Sequence, residues 1–206
     1  MTDADPVQVE PARPADVEDV ARLHAECIRE GFLSSLGPRF LSILYRSMVH
    51  SPDATLLVAR GGGTPVGFVA GAAQPGLFYR RFLRRKVFRA GALVARRALR
   101  PRVTRRLVET ARHVRRSDGR PSAELLAIAV APDARRHGAG GMLARALEEE
   151  LRAAEVDSIE VVVASGNDVA RAFYERLGYA DPEPLEVHRG ESSLRYRKPL
   201  KPRPAG

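Results

Sequence analysis

The chain has 206 residues, 44% of them hydrophobic, enough for one well-buried core with room for an appendage. Its single cysteine, Cys27, excludes an internal disulfide, and five scattered histidines without a Cys-x-x-Cys pair offer no metal site. The acidic first twenty residues lack a secretory apolar stretch and no run approaches 18 apolar residues, so a soluble, cytoplasmic protein is expected.

The formal charge of +9 is unevenly placed. Residues 76–120 hold 16 Lys and Arg against two acids, Glu109 and Asp118, while the remainder carries 18 bases and 23 acids. The positive excess therefore sits in one block. Nearly all the bases are arginine, a bias that also fits a GC-rich, bacterial-like genome.

In chain order, "VQVEP" (7–11) alternates as a strand should, and residues 13–30 read as a helix with Asp16 as N-cap. Val17, Val20, Ala21, Leu23 or His24, Cys27 and Ile28 form its buried stripe, so His24 and Cys27 are expected to be packed rather than reactive. "GFLSSLG" (31–37) is a break, and Pro38 opens a second helix. "ATLLVAR" (54–60) and "PVGFVAGAA" (65–73) flank "GGGT" as a β-hairpin. "SAELLAIAVAP" (122–132) is the near-continuous apolar run of a central strand. A glycine-rich loop, a helix to about Ala154, a strand at 158–164 and a helix at 167–178 follow. A hairpin over 185–200, turning at Arg189–Gly190, precedes a frayed tail at 200–206. The basic block interrupts this order: two runs of apolar residues at helical spacing, separated by Pro101, predict an inserted helical hairpin over about 77–116.

The stretch "ARRHGAGGML" (134–143) puts bare backbone at a helix start, where free N–H groups and the positive dipole end suit an anion. It is not a P-loop, because Gly141, Met142 and Leu143 stand where lysine and a hydroxyl residue should follow. Nor is it a dinucleotide fingerprint, because Leu143 occupies the third glycine's place. Further on, "NDVARAFYERLGY" reads Asn167-x-x-Ala170-x-x-Phe173-Tyr174-x-x-x-Gly178-Tyr179.

Taken together, "IAVAP" (128–132), "RRHGAG" (135–140) and this second pattern resemble the Gcn5-related N-acetyltransferases (GNAT). The likeness is close over 122–179 and looser over 7–73. It implies a single α/β domain over 1–206, with a mixed, mostly antiparallel sheet flanked by helices. It also implies acetyl-coenzyme A as co-substrate, with no metal.

The resemblance further implies that the amides of Arg136 to Gly141, including Gly138, Ala139 and Gly140, cradle the donor's diphosphate, with Arg135 or Arg136 adding charge. The strand at 124–131 would splay from the one at 158–164, exposing backbone of Ile128 and Val130 to the pantetheine arm, with the Ile128 N–H facing the thioester oxygen. Asn167 would contact the donor, although capping its helix explains it nearly as well. Tyr174 holds the position of the acid that protonates the departing thiolate, and Glu124 that of a base serving the amine. His188 and Glu160 stand as substitute bases, while Phe173 is expected in the core and His137 exposed.

The expected reaction is acetyl transfer to an amine of a small molecule or polypeptide. The basic insertion is expected as a lid, with an acidic partner or an anionic membrane touched by Phe78, Phe82, Val87 and Phe88 as competing readings. Nucleic acid is not expected, since no recognised binding fold accompanies the arginines. A homodimer stays open. The alternative from another class is a non-catalytic binding module that keeps the coenzyme A fold while its basic insertion engages nucleic acid or membrane.

Overall fold

The computed structural model describes residues 7–28, 32–82, 84, 123–188 and 191–201. The insertion beyond residue 84, with Val87, Phe88 and the expected second helix, lies outside the described residues, as do the Arg189–Gly190 turn and the end of the tail.

Among the described residues, seven strands form one sheet: β1 (Gln8–Pro11), β2 (Ala54–Gly61), β3 (Thr64–Ala72), β4 (Ala123–Val130), β5 (Ser158–Ala164), β6 (Ala180–His188) and β7 (Glu191–Pro199). Their spatial order is β1-β2-β3-β4-β5-β7-β6, and every neighbouring pair is antiparallel except β4 with β5. The apolar run "AELLAIAV" therefore occupies the middle strand, where both faces are covered. The β2–β3 hairpin turns through Gly62 and Gly63, both with positive φ, the backbone a two-residue hairpin favours.

The helices are α1 (Val17–Cys27), α2 (Phe32–Ser35), α3 (Pro38–Val49), α4 (75–82), α5 (Ala139–Ala153) and α6 (Asp168–Arg176). They cover the two faces separately. On one face, Val20, Leu41, Leu44, Tyr45, Phe68, Phe78 and Phe82 join α1, α3 and α4 to the sheet. On the other, Leu143, Leu147, Leu151, Ile159, Val161, Tyr174 and Tyr196 join α5 and α6 to it. The helix α5 lies directly on β3: a Cβ at Gly71 would stand 2.7 Å from Leu147.

Four local expectations differ from the structure. Asp16 stands at the N-cap position of α1 without capping it; its Oδ2 accepts from the Arg13 N–H at 2.7 Å and from Arg60 Nη2 at 2.6 Å, because a buried carboxylate is better matched by a guanidinium than by one amide. The break at 31–37 contains the short helix α2. The last hairpin begins at Ala180 rather than 185, since β6 is an edge strand and so admits Pro182 and Pro184. Phe78 and Phe82, which a membrane contact would turn outward, are buried against Phe40 and the first core face.

Candidate active site

The site begins where two strands part. Glu124 faces Glu160 and Leu125 faces Val161, and beyond that pair β4 and β5 no longer share a ladder. On its other side β4 continues along β3, with Ala127 opposite Ala70 and Ala129 opposite Phe68. The Ala131 N–H donates to the Val66 carbonyl at 2.8 Å, which fixes the phase of that ladder. In an antiparallel ladder the alternate residues point the other way, so the N–H groups of Ile128 and Val130 open toward the gap left by β5. A bulge leaves Leu126 without a partner on β3 and swaps the facing of the side chains beyond it. Leu125 thus belongs to the α5–α6 face, and Leu126 and Ala127 to the α1–α3 face.

The gap leads straight to a helix start. Pro132–Ala134 form a single turn, then Arg136 (φ 67) and Gly138 (φ 80) both take left-handed backbone before α5 begins at Ala139. Gly138 is the N-cap and supplies no side chain, and the first helical bond runs from the Met142 N–H to its carbonyl at 3.0 Å. The amides of Ala139, Gly140 and Gly141 are therefore the orphan donors of this helix. α6 lies close to this helix start: a Cβ at Gly140 would stand in van der Waals contact with the Phe173 ring, at 3.4 Å. Arg136 and His137 are exposed, whereas Arg135 folds back so that its Nε donates to the Val130 carbonyl at 2.9 Å. That carbonyl also faces the Cys27 thiol at 3.7 Å.

Helix α6 supplies two aromatic neighbours. Asn167 caps it, its Oδ1 accepting from the Ala170 N–H at 3.0 Å, so the side-chain oxygen is already engaged. Phe173 is half-buried, with its ring 5.2 Å from that of Tyr174. Tyr174 is 5% exposed and packs edge-on to Tyr179 at 5.4 Å, in the same cluster that Ile128 and Val130 join. Burial raises its hydroxyl well above the ordinary tyrosine range, so the phenol stays protonated at neutral pH.

Glu124 lies on the opposite face of β4. Its carboxyl is half-buried, and desolvation together with the neighbouring Glu160 charge pushes it up to about 7. Tyr79 of α4 stands close enough to feel that charge, and burial chiefly raises its hydroxyl. Glu160 has a different setting: Arg197 donates to its Oε1 from Nε at 3.0 Å and Nη2 at 2.5 Å, and Arg195 reaches Oε2 at 3.9 Å. Arg195 and Arg197 had not been singled out from sequence; the alternation of "LRYRK" about buried Tyr196 was the available signal. The backbone of His188 lies at the end of β6, away from β4 in the strand order.

His24 is a core residue, as expected. It is 2% exposed, its Nδ1 lies 2.5 Å from the Tyr45 hydroxyl and its Nε2 3.1 Å from Ser34 Oγ. Burial lowers it to about 4, leaving a neutral ring at physiological pH. Cys27 is half-buried. No described helix is long and apolar enough to cross a membrane.

Solved structures share this architecture. A protein termed SsHAT is 25% identical, with TM-score 0.63, covering 95% of this chain and 99% of its own. The yncA protein of Salmonella typhimurium, solved with its cofactor acetyl-CoA, is 12% identical with TM-score 0.62, covering 98% of both chains. The ribosomal-protein-S18-alanine N-acetyltransferase of Escherichia coli is 16% identical with TM-score 0.59, covering 98% of this chain and 97% of its own. A comparison with curated proteins finds no match. The profile of the acetyltransferase (GNAT) family matches residues 17–179, and with the parted strands and the uncapped helix start in the order its sequence motifs imply, the chain belongs to that family.

Proposed function

We propose that the protein is an N-acetyltransferase that moves an acetyl group from acetyl-coenzyme A to an amine of a small molecule or polypeptide. One observation carries this reading: the gap between β4 and β5 opens onto the orphan amides of Ala139, Gly140 and Gly141. A diphosphate fits such a cradle, because glycine keeps side chains off the approach and the helix dipole favours negative charge. Arg136 is exposed beside it and adds charge, whereas Arg135 must release the Val130 carbonyl to do so. The Ile128 and Val130 N–H groups, turned into the gap, suit an extended amide-bearing arm.

The donor supplies an activated acyl thioester; the chain's own residues supply position and protons. The Ile128 N–H is placed to stabilise negative charge developing on the acyl oxygen, an effect worth about 3–4 kcal/mol where such donors have been removed. Glu124, ionised above about pH 7, takes a proton from the incoming ammonium group, directly or through water. Tyr174, protonated on the other face of the sheet, gives one to the departing sulfur. Base and acid thus address one cleft from opposite faces. The nitrogen sheds its second proton as the amide forms, which restores the Tyr174 phenol, and the proton taken by Glu124 passes to solvent. Asn167 adds a donor contact through its amide nitrogen, its oxygen being held by Ala170.

The reading is tested by measuring free thiol released from acetyl-CoA across a library of amines. Turnover with at least one amine, lost on donor omission, is expected; donor binding without turnover would favour the binding-module alternative. That alternative gains support from the charge of residues 76–120. It predicts salt-sensitive retention on heparin or anionic vesicles that a variant lacking 77–116 loses. An acidic acceptor or partner for the same block, and a cytoplasmic setting for a chain with one thiol, complete the proposal.

A further inference from the structure

Glu124, Glu160 and Arg197 form one row across three strands. Glu124 is the direct neighbour of Glu160 in the parallel ladder, and Glu160 is the direct neighbour of Arg197 in the antiparallel one. The three side chains share a face, because Ala123, Leu125, Ile159, Val161 and Tyr196 all belong to the core of the other. Arg197 grips one oxygen of Glu160 with two N–H groups, and Arg195 approaches the second oxygen while also binding Glu183 at 2.5 Å. Glu160 is therefore claimed from the side away from Glu124. Among the described residues, the groups facing Glu124 are Tyr79 of α4 and Glu160 of β5, with the two β7 arginines behind Glu160.

Two neighbouring carboxyls cannot both ionise freely, so something must settle which one exchanges a proton. We propose that Arg197 is a positioning residue that makes this choice: by gripping Glu160 from the side away from Glu124 it compensates that neighbour's charge and leaves Glu124 as the carboxyl that exchanges a proton beside the cleft. The proposal gains its catalytic meaning from the role given to Glu124 above. Its sign is fixed by electrostatics. Without Arg197 the charge of Glu160 is less compensated, and Glu124 holds its proton more tightly. Without the charge of Glu160, Glu124 releases its proton more readily.

The experiment is a carbon-13 titration of the Glu124 carboxyl in the full chain, assigned through Glu124→Gln. Arg197→Gln is expected to raise the midpoint by at least about half a pH unit and Glu160→Gln to lower it by a similar amount, with Arg197→Lys close to the parent. Midpoints that stay fixed, or move in the same direction in the two glutamine variants, overturn the proposal. Should Arg197→Gln not fold, the neutral double variant Glu160→Gln/Arg197→Gln is compared with Glu160→Gln alone: its midpoint must be the higher of the two, and equal midpoints overturn the proposal. The pH dependence of kcat/KM is measured beside it. If the carboxyl titrates as expected while the rate ignores it, Glu124 is not the base, yet the choice made by Arg197 stands.

Discussion

Glu124 stands directly opposite Glu160, one residue short of the point where β4 leaves β5. Only ionised Glu124 can accept a proton, so kcat/KM should fall as pH drops below about 7, roughly tenfold per unit. Glu124→Gln should lower kcat/KM by about 10²-fold or more and abolish that limb. A pH–rate profile of the two proteins checks this, and an unchanged limb in the variant would assign it to another group.

The same carboxyl should weaken the fold at high pH. Its folded-state pKa, about 7, lies above the ordinary 4.5, so between those values the native protein binds a proton that the unfolded chain has released. Stability from this group is therefore greatest below pH 4.5 and declines as pH rises toward 7. The loss is on the order of 1–3 kcal/mol, lowered by the solvent access the side chain keeps. Glu124→Gln should be more stable than the parent at pH 8, with the gain shrinking by pH 5. Urea melts at the two pH values measure it, and a gain that does not depend on pH would point to packing instead.

Much of this was legible from residue order, and the illegible parts have physical causes. Short apolar runs exposed β2, β3, β4 and β5, and punctuation by Pro38 and the Gly62–Gly63 pair fixed element ends within a residue or two. The start of β6 was hidden because prolines look like breakers until the strand is known to be an edge. The role of Asp16 was hidden because its partner, Arg60, is 44 residues away on another strand. Near the site, the bare turn at Gly138 was readable from its local glycine spacing, whereas Tyr174 and Glu124 were singled out only through the family resemblance. The Glu160–Arg197 pair was not readable, because it exists only through the register of β5 on β7. Local chemistry is written in spacing; cross-strand electrostatics is written in register, which one sequence leaves unstated.

Tyr174→Phe should separate chemistry from packing. Phenylalanine keeps the ring contacts with Phe173 and Tyr179, so stability should change by less than about 1 kcal/mol. The acetyl-CoA dissociation constant should hold, while kcat drops by about 10²-fold if the phenol is the acid. Calorimetric binding beside steady-state rates decides it, and undiminished turnover would remove the tyrosine from the reaction.

Gly138 carries the turn into α5 at φ 80, where a side chain costs about 1–2 kcal/mol although nothing crowds the position. Gly138→Ala should therefore disturb the amide cradle more than the core, raising KM for acetyl-CoA several-fold with a smaller effect on kcat. Gly138→Asn should be milder, because asparagine tolerates left-handed backbone. Equal effects of the two on KM would show that the backbone conformation does not matter to donor binding.

The placement of that cradle depends on how α5 is tied to the sheet. Glu148, 1% exposed, accepts from Lys198 Nζ at 2.7 Å and from Arg152 Nη2 at 3.3 Å, joining the helix to β7. Lys198 also lies over the Tyr179 ring, 5.6 Å from its centre. Lys198→Met keeps the stem's apolar contacts but leaves Glu148 with Arg152 as its cation, so about 3–5 kcal/mol of stability should be lost. Adding Glu148→Leu should recover most of it, because a buried charge without its main partner is worse than no charge at all. Thermal melts of the single and double variants measure the coupling. Independent, additive losses would mean that Lys198 and Glu148 do not act as a pair, and that another contact holds α5 over β3.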